Sequence, residues 1–190
     1  MYKKKSVLVI GGSGFIGSHL VDELINKKYK VSVLDLKKSK YHNNKAIFIR
    51  GSVDNEKIIS SLIKKNKIIY HLAGISDLNK AYKNAFGTAK INVLATVRIL
   101  EYCIKFKVDK FVFASSIYVN SIYGGFYKSS KISCETYIEE FSRLYGLNYR
   151  ILRYGSIYGA RADLSNGIYA ILYNGIKSNK LVYKGSINSI

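Results

Sequence analysis

The chain has 190 residues, 48% of them hydrophobic, which suits one domain with a real core. A mean hydropathy of −0.01 and no apolar run near the roughly 20 residues of a membrane span argue against a membrane helix. Lysine and arginine outnumber aspartate and glutamate 31 to 12, for a net charge of +19. The lysines are scattered through almost every element, with no recognition helix or aromatic-interleaved RNA motif, so the charge does not assign a nucleic-acid partner.

Met1–Ile10 starts basic and turns apolar, as a signal peptide does. The apolar run is short and breaks into glycines with no small-residue cleavage site, so Ser6–Ile10 reads as a first strand. Gly11-Gly12-Ser13-Gly14-Phe15-Ile16-Gly17 follows, and a helical pattern with Leu20, Leu24 and Ile25 apolar starts at once. Strand, glycine turn and helix together form a dinucleotide-binding fingerprint. Gly11 allows the tight turn, Gly14 lets backbone approach a pyrophosphate, and Gly17 lets helix and strand pack closely. Phe15 and Ile16 open the helix, whose free N–H groups point at the phosphates. Lys30–Asp35 reads as the second strand. Its terminal Asp35 stands near the roughly 20-residue spacing of the acid that holds the adenosine ribose hydroxyls. A carboxylate there repels a 2′-phosphate and favours NAD over NADP, a preference that Lys37 and Lys38 soften.

Ala46–Arg50 reads as strand three, residues 55–65 as a helix, and Ile68–Ala73 as strand four, closed by Gly74. A polar loop over 75–87 precedes a long helix over 89–106 with Ile91, Val93, Leu94, Val97, Ile99 and Leu100 apolar. Phe111–Ala114 is strand five and delivers Ser115 and Ser116 at its end. A helix over 127–145, strand six at 149–154, a helix over 167–177 and a short strand at 181–183 complete the pattern. Alternating strands and helices predict an α/β, doubly wound, Rossmann-like parallel sheet with right-handed crossovers. The ligand then lies at the carboxyl ends of the strands, where Gly11, Asp35, Ser52, Gly74 and Ser116 all fall. Cys103 and Cys134 sit inside helical patterns, read as reduced and buried, and with no signal peptide they point to the cytoplasm. No metal-ligating cluster is predicted.

Tyr127 and Lys131 are four residues apart in one helix and lie one above the other on its face. A free tyrosine titrates near 10, and bringing it to about 7 takes on the order of 4 kcal/mol of phenolate stabilisation. A lysine ammonium and a positive nicotinamide ring can together supply that. Ser116 offers a hydroxyl to hydrogen-bond the reacting substrate oxygen.

With these residues in view, the sequence resembles the extended short-chain dehydrogenase/reductases, the NAD-dependent epimerase/dehydratases acting on nucleotide sugars. The likeness rests on Gly11–Gly17, Asp35, His71-Leu72-Ala73-Gly74, Asn92–Thr96, Ser115-Ser116, Tyr127–Lys131, Leu152-Arg153-Tyr154 and Ile157-Tyr158-Gly159. It implies Ser116, Tyr127 and Lys131 as catalytic triad. It also implies Leu72, Ala73, Gly74, Asn92 and Tyr154 lining the cofactor, and Ser52 and Val53 flanking the adenine. Ser52 stands where the family usually has Asp, so that contact is weaker or falls to Asp54. Ile117-Tyr118 replaces the Asp-Glu pair of the dehydratases and argues against dehydration. The segment between Ser116 and Tyr127 is shorter than the family's substrate loop, and Ser156 stands where an Asn often contacts the sugar nucleotide. Family members are much longer, so residues 1–160 are expected to form the NAD-binding domain and 161–190 only the beginning of a substrate lobe.

The leading expectation is therefore a nucleotide-sugar epimerase-type oxidoreductase using NAD, resembling UDP-glucose 4-epimerases. A truncated or divergent homologue that binds NAD without turnover, and an NAD-dependent sugar dehydrogenase or reductase, remain as alternatives. The likeness further implies a homodimer formed through the helices carrying Cys103 and Tyr127.

Overall fold

Strand β1 (Ser6–Ile10) has four of its five residues buried, as a strand flanked on both edges and covered on both faces requires. It pairs in parallel with β2 (Lys30–Asp35) on one side and β4 (Ile68–His71) on the other. β3 (Ile47–Arg50), β5 (Lys110–Ser116) and β6 (Tyr149–Tyr154) complete a parallel sheet of order β3-β2-β1-β4-β5-β6. The computed structural model describes residues 5–164 and 166–179. They belong to two compact units, one ending at Tyr154 and the other beginning at Gly155.

Parallel pairs need long crossovers, and helices supply most of them. They are α1 (Phe15–Asn26), α2 (Glu56–Lys65), α5 (Ala95–Lys105) and α6 (Gly125–Tyr145). Period-two alternation splits β1 between two cores. Val7 and Val9 pack with Val21, Leu24, Val31 and Val33, whereas Leu8 and Ile10 pack with Ile59, Ile63, Ile99 and Phe111. Cys103 and Cys134 are free and buried. The strand order reverses between β1 and β4, and a crevice at the carboxyl ends of such strands is where this architecture holds ligands.

Two segments differ from the sequence expectation. The expected polar loop over 75–87 contains α3 (Leu78–Lys83) and α4 (Ala85–Thr88). Asp77 caps α3 by accepting from the N–H groups of Asn79 and Lys80, and Asn84 caps α4 by accepting from Gly87. These helices bury only Ala81 and Thr88, so hydrophobic periodicity could not reveal them. The expected continuous helix over 89–106 begins instead as a π-helical turn, Ala89–Leu94, before α5. The wider turn rotates the face, bringing the polar Asn92 inside and leaving Leu94 61% exposed.

The other strands and helices match within a few residues, β4 stopping at His71 and α6 starting at Gly125. α6 ends at Gly146, which is left-handed (φ +69°) and donates its N–H to the Ser142 carbonyl. In the second unit α7 (Gly167–Ser178) is capped by Asn166, which accepts from Tyr169 N–H at 2.9 Å. The strand expected at 181–183 lies outside the described residues.

Candidate active site

The glycine turn after β1 has three glycines with three different surroundings. Gly11 is left-handed (φ +85°), and a Cβ there would meet the Ala73 backbone nitrogen at 2.6 Å. At Gly17 a Cβ would meet the Gly11 carbonyl oxygen at 2.3 Å, so α1 packs directly on the turn. Gly14 differs, because its nearest neighbour would be the Gly11 oxygen at an ordinary 3.4 Å. The chain's own packing does not demand glycine at 14; an approaching ligand would. Gly14 is also the N-cap of α1 and makes no side-chain cap, so Phe15 and Ile16 open a helix with unsatisfied N–H donors. The Ser13 hydroxyl is buried without a partner among the described residues. These features fit a dinucleotide pyrophosphate.

Asp35, the last residue of β2, folds back on this turn. Its Oδ2 accepts from Ser13 N–H at 2.9 Å and its Oδ1 from Leu36 N–H at 2.7 Å. Each carboxylate oxygen keeps a second lone pair for a ribose hydroxyl. After β3, Val53 is buried in the core. The Ser52 hydroxyl, ahead of the Lys90 ammonium 3.4 Å away, holds the Asp54 carboxyl below its usual range.

The segment after β4 is fixed from both sides. Leu72 and Ala73 donate their N–H groups to the Ile10 carbonyl. Asn92, buried on the π-helical turn, accepts from Ile75 N–H at 2.7 Å and donates to the Ile75 carbonyl and the Ser130 hydroxyl, each at 3.0 Å. A Cβ on Gly74 would sit 3.0 Å from the Asn92 Oδ1. Asn92 thus ties the β4 loop to α6, a bracing role the sequence reading did not assign.

β5 and α6 bring the reactive side chains together. Ser116 ends β5, is buried, and accepts from Tyr118 N–H at 3.3 Å. Tyr127 and Lys131 lie one turn apart on α6, both buried, with Ser116 beside the Tyr127 phenol. Lys131 Nζ donates to the Ala114 carbonyl at 2.7 Å and lies 4.6 Å from the Phe113 ring centre and 5.6 Å from that of Tyr127. Burial pushes Lys131 down to about 8, against the opposing pull of Cys134 and Glu135. Tyr127 is raised above the ordinary phenol value, mainly by burial, with the Ser116 hydroxyl opposing. The lysine alone therefore does not bring the phenol to neutrality. Tyr154, half-buried, ends β6 as the register partner of Ser116. Ser156 belongs to the second unit and is exposed.

Two further buried polar groups went unassigned in the sequence. His71 is almost fully buried; its Nε2 lies 2.9 Å from Thr96 Oγ1 and its Nδ1 has no partner among the described residues. Burial, then the Lys131 charge, pushes it down to about 3, so it is neutral. Glu135 is buried one turn beyond Lys131 and meets Ser115 and Arg153. An acid at helical spacing from Lys131, on the same inward face, was the available signal. No group of three or more His, Cys, Asp and Glu side chains among the described residues is arranged to hold a metal ion. No described helix is long and apolar enough to cross a membrane.

Fold and site together define a dinucleotide-binding α/β protein with a serine, tyrosine and lysine gathered at the carboxyl ends of its central strands. Residues 7–189 match the NAD dependent epimerase/dehydratase family, and the chain belongs to it. A Methanocaldococcus jannaschii protein provisionally named UDP-glucose 4-epimerase is 36% identical over 83% of this chain and 57% of its own length. The Thermotoga maritima UDP-glucose 4-epimerase, solved with UDP-glucose, superposes with a TM-score of 0.84 at 32% identity, covering 92% of this chain and 64% of that one. The Thermus thermophilus UDP-glucose 4-epimerase, solved with NAD, gives 0.79 at 28% identity over 88% and 60%. This chain spans somewhat over half the length of the first curated relatives, 57% and 58%.

Proposed function

We propose that this chain is the NAD-binding and catalytic part of a nucleotide-sugar epimerase-type oxidoreductase. The observation that carries the proposal is the buried Ser116–Tyr127–Lys131 cluster at the end of β5, on the same sheet end as the Gly11–Gly17 turn. Gly14 and the first turn of α1 would hold the pyrophosphate, and Asp35 the adenosine ribose. Ser52 and Val53 would flank the adenine. Leu72, Ala73, Gly74 and Tyr154 would line the cofactor, with Asn92 fixing their loop. Bound NAD would supply the hydride acceptor, and then donor, for a transient oxidation of the sugar. Tyr127 removes the proton of the sugar hydroxyl and later gives it back. Ser116 hydrogen-bonds the same oxygen, and the Lys131 charge favours the phenolate.

Ile117-Tyr118 beside Ser116 supports epimerisation over dehydration, since no carboxylate follows the serine. The substrate would be a nucleotide sugar, with Ser156 and the residues from 161 onward opening a substrate lobe. Exposed apolar side chains on α6, among them Ile132 and Tyr137, support a homodimer through α5 and α6. The two free cysteines support a cytoplasmic setting.

The test is mass spectrometry of a denatured extract of the purified chain, then assay with nucleotide sugars. Co-purifying NAD with interconversion of 4-epimers is the expected result. A Tyr127→Phe variant that turns over at the wild-type rate overturns it. Bound NAD without turnover of any nucleotide sugar would favour a cofactor-binding homologue, and net NADH accumulation would favour a dehydrogenase.

A further inference from the structure

Glu135 is a buried carboxylate that the proposed chemistry does not use. Its side chain is 7% exposed, and it is held from two strands. The Ser115 hydroxyl on β5 donates to Oε1. Arg153 on β6 donates from Nε to Oε1 at 3.1 Å and from its terminal nitrogen to Oε2 at 2.7 Å. Ser115 and Arg153 are register partners, so one carboxylate clasps adjacent strands at one level. One turn earlier, Lys131 donates to the Ala114 carbonyl of the same strand. One turn earlier again, Tyr127 meets Ser116. α6 is thus fastened to two consecutive residues of β5, Ala114 and Ser115, by Lys131 and Glu135, with Tyr127 beside the next, Ser116.

We infer that Glu135 is a positioning residue: clamped by Ser115 and Arg153, it sets α6 on β5 and supplies the negative charge that keeps the buried Lys131 ammonium protonated beside Tyr127.

Removing a charge from water is costly unless a counter-charge is near. Lys131 is 5% exposed, and its direct contacts are a neutral carbonyl and two aromatic rings. The titratable groups around it, among the described residues, are Tyr127, Cys134 and Glu135 from α6 and His71 from β4, with Arg153 from β6 behind Glu135. His71 is neutral, and burial holds the Cys134 thiol high, so Glu135 is the anion in this group. Arg153 is 45% exposed and reaches solvent, whereas Glu135 is 7% exposed and one turn from Lys131 on α6, so water weakens the field of Arg153 at Lys131 more than that of the carboxylate.

The inference rests on the reading of Lys131 as the cation beside the catalytic phenol, yet its test needs neither cofactor nor turnover. The full chain, labelled with ¹³C at lysine Cε, is titrated by NMR, and the Lys131 resonance is assigned by its loss in Lys131→Arg. The wild-type midpoint is expected near 8. Glu135→Gln, which keeps shape and hydrogen bonding, should lower it by about one unit, a tenfold larger acid dissociation constant. Ser115→Ala, which keeps the charge and removes only a clamp, should not lower it. An unmoved midpoint in Glu135→Gln, or an equal fall in Ser115→Ala, overturns the inference. If Glu135→Gln does not fold, the ¹³C-labelled Glu135 carboxyl of the wild-type chain decides. An inflection at the Lys131 midpoint supports direct coupling, and a flat response refutes it. Failure of turnover with an intact Glu135 effect would refute the proposed function alone.

Discussion

Gly14→Ala separates a glycine kept for a ligand from one kept for packing. Its backbone, φ −71° and ψ 179°, is open to any residue. A Cβ there meets only the Gly11 carbonyl oxygen, at 3.4 Å. Alanine is a poorer N-cap than glycine, and its smaller unfolded-state entropy offsets part of that. The net change in stability should stay within about 1 kcal/mol, or about 2–4 °C in Tm for a chain of this size. The new methyl nevertheless stands at the mouth of α1, where a pyrophosphate would meet backbone N–H groups. Losing even one hydrogen bond to a charged group costs about 1.5–3 kcal/mol, so NADH affinity should fall at least tenfold. Gly17→Ala is the opposite control. Its Cβ would lie 2.3 Å from the Gly11 oxygen and 2.7 Å from Gly12 Cα, both backbone atoms that cannot swing aside. Overpacking of that kind costs about 1–3 kcal/mol, set against about 1 kcal/mol gained in helix propensity. Gly17→Ala should therefore lower Tm by more than Gly14→Ala does. Thermal denaturation gives the first quantity, and NADH fluorescence titration the second. Wild-type NADH affinity in a well-folded Gly14→Ala would refute the reasoning.

Tyr127→Phe should cost about 10²–10⁴-fold in turnover while NADH binding stays close to wild type, measured by steady-state assay beside titration. Asn92→Ala would strip partners from Ile75 and Ser130, and the unfolding free energy in urea should fall by about 1–3 kcal/mol. His71 makes stability depend on pH in a definite sense. Its folded value is pushed down to about 3 from 6.5, so below pH 6.5 the unfolded chain binds a proton that the folded chain refuses. Stability is then full above pH 6.5 and falls as the pH drops from there toward 3, by up to about 1.4 kcal/mol per pH unit. In His71→Gln that slope should lessen by about one proton between pH 6 and 4; an unchanged slope in urea denaturation would show that His71 is not responsible. Asp35→Asn should narrow the ratio of NADH to NADPH affinity by about tenfold, since a carboxylate repels a 2′-phosphate.

The sequence by itself determined the sheet. Val7 to Ile10, the glycine turn and the acid at Asp35 give strand, crossover and strand end locally, because residue type and period suffice where both faces of a strand are buried. The Tyr127–Lys131 pairing was legible for a similar reason, since helical spacing alone puts them on one face. Tertiary structure decided the rest. Asn92 faces inward only because the π-helical turn rotates it, and the loops it ties come from distant parts of the chain. α3 and α4 form from caps at Asp77 and Asn84 with almost no apolar face, which periodicity cannot see. Glu135 reads as one more charged helix residue until β5 and β6 bring Ser115 and Arg153 to it from opposite sides in sequence. Local pattern fixes what a segment is; which polar groups share a buried space depends on contacts between segments, and no short-range signal encodes those.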